Sequence, residues 1–326
     1  MLFFKATSES QVNRSIPYLN HLTLFSKALY QEFQAEHPES TVHLSEKGLM
    51  MVYQTEAVEK EEIELAHLAK KYKLEAEVLN AADVQKLEPN LEVKARGAVY
   101  FPGDSHLDPG VLYSYVKKYL VAKGVKFHPN TQVLGFEKTQ HAVQAVLTDK
   151  GKIEAGKIVL CGGAWTAELA KKLNFSLPLM GGKGYSFIQD NSPAIQIPTI
   201  LTERKVAVSP YGDFVRFGGT LEIAGTNQKV NINRVKGIFE SINQYYPTFQ
   251  AKFPEEEQIW KGLRPCSPDG LPYIGMAPGY ENVLVGAGHA MLGLTMAPAT
   301  GRLLTELHQQ KETSLEMKGF EVGRYS

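Results

Sequence analysis

Apolar residues fall at two different spacings along this chain, and the spacing names the element. From Ile16 to Phe33, Leu19, Leu22, Leu24, Phe25, Leu29 and Phe33 recur near the helical period, which predicts a packing helix. VHLSEKGLMMVY reads as a strand pair turning at Gly48, and Glu56–Leu74 as a charged, exposed helix with Lys70 and Lys71 on its solvated face. Asp108 followed by Pro109 suits a helix start, a cap and then a proline in the first turn, with Val111, Leu112, Tyr115, Val116 and Leu120 as the apolar stripe. Short strands follow in VKFHPNTQVLGFEK, HAVQAVLTDKG and GKIEAGKIVLCGGAW. In the last of these, Ile158–Cys161 reads as a buried strand opening into a turn at Gly162 and Gly163. Period-2 stretches such as Phe214–Phe217, within ILTERKVAVSPYGDFVRFGGTLEIAG, predict antiparallel strands. No interior run of Pro, Ser or Gly marks a linker, and the polar tail after Gln310 reads as loosely held.

The chemistry gathers between Trp260 and Leu304. An apolar β-branched run, Asn282–Val285, passes through a turn rich in glycine (Gly286, Gly288, Gly293) into an amphipathic segment carrying Leu294, Ala297, Leu303, Leu304 and Leu307. That is strand, tight turn, helix. Such a turn aims free N–H groups and the positive end of a helix dipole at an anion or a polarised oxygen, and glycine lets that partner come close. Just upstream, Arg264 lies among Pro265, Pro268 and Pro272, which reads as a guanidinium fork held on a stiff loop. The pair suggests a carboxylate substrate beside a cofactor. The VGAG stretch is not the dinucleotide fingerprint, because after Gly286-x-Gly288 the next glycine is Gly293, not a residue three positions on.

Composition narrows the class. The 326 residues are enough for two domains with cores of their own, and 43% hydrophobic with 21% charged content is that of a globular protein. Lys+Arg and Asp+Glu balance at 35 each, which gives no electrostatic case for nucleic acid. Two cysteines, Cys161 and Cys266, make neither a disulfide framework nor a metal spacing; they read as small buried side chains in a reducing compartment. No metal site is expected. No run approaches the roughly 18 apolar residues of a spanning helix, and no signal-peptide layout opens the chain, so a cytoplasmic location is expected.

WKGLRPCSPDGLPYIG, with the later GHAMLG and APATG, resembles the C-terminal signature of the D-amino-acid-oxidase superfamily of flavoenzymes, in the branch of D-amino-acid dehydrogenases and glycine oxidases. The matching positions are Trp260, Gly262, Arg264, Pro265, Ser267, Asp269, Gly270, Pro272, Ile274, Gly275, Gly288, His289, Gly293, Ala297, Pro298, Thr300 and Gly301. The resemblance implies a mixed α/β, two-domain FAD-dependent oxidoreductase fold, with an incomplete Rossmann-like FAD domain and an antiparallel-sheet substrate domain. Residues 1–41, 104–176 and 259–326 are expected in the first and 42–103 and 177–258 in the second. Relatives open on a strand, a G-x-G-x-x-G turn and a helix that hold the ADP half of FAD; no such fingerprint occurs here, so the chain reads as truncated at its N-terminus and weak in FAD binding.

The implied activity is oxidative deamination of a D-amino acid, giving a 2-oxo acid and ammonia. Oxidation of glycine, sarcosine or D-proline-type amines, and an inactive fragment that cannot hold FAD, are the alternatives. Arg264 is the expected catalytic residue, through the substrate carboxylate, with Tyr185, Met291 and His106 as further substrate contacts and Val206–Ser209 as a wall. Val133, Gly162, Gly163, Trp165, Gly288, His289, Met291, Gly293, Leu294 and Thr295 are expected at the cofactor, His289 shaping the turn rather than acting as a base. Asp108 reads as a cap and Asp269 as a turn residue. Glycine oxidases carry a tyrosine where this chain has Val206-Ala207-Val208 and an arginine where it has Met291, which implies an apolar pocket for a larger side chain. The electron acceptor is oxygen or a quinone of the respiratory chain, with peripheral membrane contact open.

Overall fold

The computed structural model describes residue 3 and residues 8–192, 194–223 and 225–325. The opening MLFFKAT lies outside these but for residue 3. In chain order the elements begin α1 (Glu9–Glu36), β1 (Leu49–Tyr53), α2 (Glu56–Lys71), β2 (Glu77–Asn80), α3 (Ala81–Leu87), β3 (Gly97–Phe101) and α4 (Pro109–Ala122). Then come β4 (Val133–Lys138), β5 (Val143–Thr148), β6 (Gly151–Glu154), β7 (Ile158–Leu160), α5 (Thr166–Lys172), β8 (Met180–Asp190), β9 (Thr199–Leu201), β10 (Val206–Tyr211) and β11 (Phe214–Ile223). The chain closes with α6 (Ile232–Tyr245), β12 (Trp260–Cys266), β13 (Tyr273–Met276), β14 (Val283–Ala287) and α7 (Gly293–His308).

Eight strands make one sheet in the order β12-β8-β11-β10-β9-β1-β3-β2. All its pairings are antiparallel except β1 with β9. Strand alternation gives it two unlike faces. Val206, Val208, Val215 and Phe217 point into a core closed by Val235, Ile238, Ile242 and Tyr245 of α6. The intervening positions, many of them small, face the other way. A second, three-stranded sheet, β13-β14-β7, pairs β14 in parallel with β7. Helices α1 and α7 cover it through Leu22, Met296, Leu303 and Leu304. A meander of β4, β5 and β6 forms the third sheet.

Asp108 caps α4, accepting from the N–H groups of Gly110 and Val111. Four expectations are not met. The strand pair at Gly48 is a single strand, β1: its edges are taken by β3 and β9, and upstream only Ser45 forms a bridge, with His106. Strand β7 has no neighbour on its outer edge among the described residues, so Val159 is 48% exposed and Cys161 is exposed. Residues 260–266, expected with the first domain, are hydrogen-bonded into the large sheet beside β8, so Arg264 sits on a strand rather than a loop. The tail is held: Phe320 and Val322 are buried, and Arg324 reaches back to Asp269 in a two-pronged ion pair at 2.9 and 3.0 Å. Among the described residues no helix is long and apolar enough to cross a membrane.

Candidate functional site

Along β8, Tyr185 and Phe187 belong to the core. Gly184 and Ser186 therefore face the opposite side. There they meet Arg216 and Gly218 of β11, Ala207 and Ser209 of β10 and Gly262 and Arg264 of β12, and those six line a cavity of about 820 Å³. The floor is nearly bare backbone, and two long side chains lie down on it. A Cβ at Gly184 would stand 1.9 Å from Nη1 of Arg264, and one at Gly262 would stand 2.3 Å from the Trp260 ring. Glycine at both positions is what lets the guanidinium and the indole lie flat.

Arg264 donates from Nη1 to the carbonyl of Thr220 at 2.9 Å. Thr220 has φ of 65° and sits where the β11–β8 ladder slips register, and that irregularity turns its carbonyl toward the cavity. Burial pulls the Arg264 pKa down, opposed in part by Cys266, with the positive charge of Arg216 adding the smallest, downward, influence. Arg216 donates from Nε to Ser186 Oγ at 3.0 Å and stacks its guanidinium 5.0 Å from the Trp260 ring centroid. Neither arginine has a carboxylate partner among the described residues. Lys183, which borders the same cavity, is neutralised by Glu222 at 3.3 Å and donates to the Lys229 carbonyl.

The facing wall is the turn before α7, with Ala290, Met291, Leu292, Gly293 and Leu294, joined by Trp165. Ala290 N–H bonds the Pro265 carbonyl at 2.9 Å, which ties this turn to the strand of Arg264. Gly288 has φ of 84° and a Cβ there would crowd Tyr273 at 3.0 Å, so glycine is required twice over. Leu292 gives α7 no side-chain cap, and the N–H groups of Gly293, Leu294 and Thr295 find no acceptor among the described residues. They are free for an incoming group. Pro298 has no N–H to return to the Leu294 carbonyl one turn back, and the Tyr30 hydroxyl donates to that carbonyl instead at 2.8 Å.

Of the expected site residues, Arg264, Met291, Trp165, Gly293 and Leu294 line this cavity. Gly162 and Gly163 form the short turn that delivers Trp165. His289 shapes the turn: its Nε2 bonds Thr300 Oγ1 at 2.9 Å, and burial brings its pKa down to about 4, so the ring is neutral. Thr295 is exposed on the first turn of α7. Val133 opens β4 in the small meander, away from the cavity lining.

Two expected contacts fall elsewhere. Tyr185 is 1% exposed on the core side of β8, its hydroxyl donating to Glu222 at 2.8 Å and accepting from Asn231 N–H. His106 lines a separate cavity with Lys47, Asn191 and Tyr211 and makes its contact with the Pro210 carbonyl. The lining is mostly apolar, as the expectation of an apolar pocket had it, but Arg216, Ser209 and Gln228 add polar groups to it. Arg216 and Gly184 carry no motif; the one signal was the alternation Gly184-Tyr185-Ser186, which puts a tyrosine and two small residues on opposite faces.

The residues fit the ring end of FAD. Free N–H groups at the start of a helix suit an electron-rich ring edge, and the Trp165 side chain and the wide cavity suit a flat heterocycle. Among the described residues no glycine-rich strand-turn-helix of the pyrophosphate-binding kind occurs.

Residues 9–307 match the family described as DAO, FAD dependent oxidoreductase. A D-amino acid dehydrogenase of Helicobacter pylori is 26% identical over 309 residues, covering 94% of this chain and 73% of that protein. One from Bradyrhizobium diazoefficiens is 32% identical over 263 residues, 79% of this chain and 62% of its own length. Among solved structures, glycine oxidase from Geobacillus kaustophilus superposes with a TM-score of 0.85 at 25% identity, over 94% of this chain and 83% of that one.

Proposed function

Because the chain belongs to the DAO family of FAD-dependent oxidoreductases, we propose that it oxidises the Cα–N bond of a D-amino acid, leaving an imine that water converts to a 2-oxo acid and ammonia. FAD supplies the hydride acceptor when bound. The observation that carries this reading is the guanidinium of Arg264 laid across Gly184 in the cavity that also receives the uncapped start of α7.

Arg264 spends one N–H group on the Thr220 carbonyl, and those that remain pair with the substrate carboxylate and set which face of Cα points across the cavity. The N–H groups of Gly293, Leu294 and Thr295 would hold the electron-rich edge of the FAD ring, where they would favour negative charge. His289 is bonded to Thr300 and Lys183 to Glu222, so neither serves as the base; the substrate amine gives up its proton to water. The names of the relatives, D-amino acid dehydrogenase and glycine oxidase, support an amino-acid substrate.

The test is purified protein with added FAD, an artificial electron acceptor, and a series of D-amino acids, their L-enantiomers, glycine, sarcosine and D-proline. Ammonia and 2-oxo acid released from D-enantiomers are the expected result. Turnover of sarcosine or D-proline alone would move the reading to secondary amines, and no turnover without retained flavin to an inactive protein. Replacing the artificial acceptor with oxygen and then with a quinone identifies the natural one.

A further inference from the structure

Two guanidinium groups in one cavity, with no carboxylate to answer either, make an unusual arrangement. Arg264 rests on Gly184 and Arg216 on Ser186, neighbouring positions on the same face of β8 whose Cα atoms are about 7 Å apart. Of the two lysines at this cavity, Lys183 has Glu222 for company and Lys261 is exposed to solvent; the two arginines are half-buried and have no carboxylate among the described residues. Like charges facing one cavity, partly withdrawn from water, repel one another, and the charge of Arg216 adds a small downward influence to the pKa of Arg264. Each is also held in place before any ligand arrives, Arg264 by the Thr220 carbonyl and Arg216 by Ser186 and Trp260. Arg216 keeps both Nη groups without an acceptor among the described residues. A single carboxylate can answer only one of these charges.

We infer that the cavity takes a dicarboxylate, with Arg264 holding one carboxylate and Arg216 the other. The amine oxidised is then a four- or five-carbon acidic one, of the D-aspartate or D-glutamate type. This rests on the reading of Arg264 as the carboxylate anchor. Arg216 is the residue that sets specificity: it selects the side chain and stands apart from the reacting bond. Across this span the α-carboxylate and the side-chain carboxylate engage separate forks.

Calorimetric titration of the whole chain with succinate and with butyrate isolates the effect, because the two share a four-carbon length and differ by one carboxylate. Succinate is expected to bind at least about ten-fold more tightly. Arg216→Gln should bring succinate down to the level of butyrate and leave butyrate unchanged, Arg216→Lys should keep part of the preference, and Arg264→Gln should weaken both ligands. Equal affinities in the unaltered protein, a preference that survives Arg216→Gln, or failure to bind either ligand overturns the inference.

With FAD added, kcat/KM for D-aspartate or D-glutamate should exceed that for D-alanine. A preference for D-alanine overturns the inference and leaves amine oxidation standing. A succinate preference without turnover of any amine does the reverse, overturning the oxidation and leaving the two-anion cavity.

Discussion

The guanidinium of Arg264 occupies the place where a side chain on Gly184 would be: a Cβ there would meet Nη1 at 1.9 Å and Nη2 at 2.3 Å. The obstacle is the far end of a flexible side chain, not backbone, so Gly184→Ala should displace the arginine and spare the fold. Carboxylate affinity is expected to fall at least about ten-fold while unfolding free energy changes by less than about 1 kcal/mol. Titration and denaturant unfolding of the same preparation read both quantities.

Two tyrosines separate structural from functional roles. Tyr185→Phe removes the hydroxyl that serves Glu222 and Asn231 on the core side of β8, and should cost about 1–3 kcal/mol of stability with carboxylate binding unchanged. Tyr30→Phe orphans the Leu294 carbonyl at the start of α7 and should cost a similar amount, but with weaker retention of FAD, followed by flavin absorbance after gel filtration. Loss of carboxylate binding in Tyr185→Phe would return that side chain to the site.

The ion pair of Asp269 and Arg324 is almost dry, with side chains 4% and 12% exposed, and Arg324 also stacks 3.8 Å from the Tyr273 ring centroid. Removing one partner, as in Asp269→Asn or Arg324→Met, should cost about 3–5 kcal/mol in denaturant unfolding. A loss below about 1 kcal/mol would mean that the tail adds little to the fold.

Acid should weaken the fold through His289. Burial holds its pKa at about 4, below the ordinary 6.5, so between these values the unfolded chain binds a proton that the folded chain does not. Its contribution is whole above 6.5 and is lost as the pH falls toward 4. Glu88, whose carboxyl burial pushes up to about 7, acts in the opposite sense: its contribution is present below the ordinary 4.5 and lost as the pH rises through 7. Comparison with His289→Gln separates the two. Between pH 7 and pH 5 the unaltered protein should lose about 2 kcal/mol relative to that variant. Parallel stability curves would show that the imidazole keeps its proton when folded.

Much of this was legible in the chain because it depends on neighbours in sequence. The run from Val283 through Gly288 to Leu304 folds as strand, turn and helix, and Asp108 caps α4, both from local chemistry. The placement of Arg264 near the turn followed from spacing, but its support did not: Pro265 suggested a stiff loop, while pairing of β12 with β8 supplies the rigidity. Gly184, Arg216 and Ser209 come together only when three strands pair in register, and nothing local announces that. Tyr185 was misplaced by one strand position, enough to put it on the wrong face. The grip of Arg324 on Asp269 spans 55 residues and joins a turn to a tail that composition alone describes as polar.

A cavity floored by backbone also bears on how such a site can diversify. Side chains added at Gly184 or Gly262 run into Arg264 or Trp260, so the floor is closed to gradual change, and a new substrate range has to be reached through the rim. Met291, 71% exposed, and Ala207, Ser209 and Arg216 are the positions where single substitutions alter what enters while leaving Arg264 where it lies. Lineages that keep the glycines can therefore exchange one amine for another in few steps, and a library confined to those four positions explores that freedom directly.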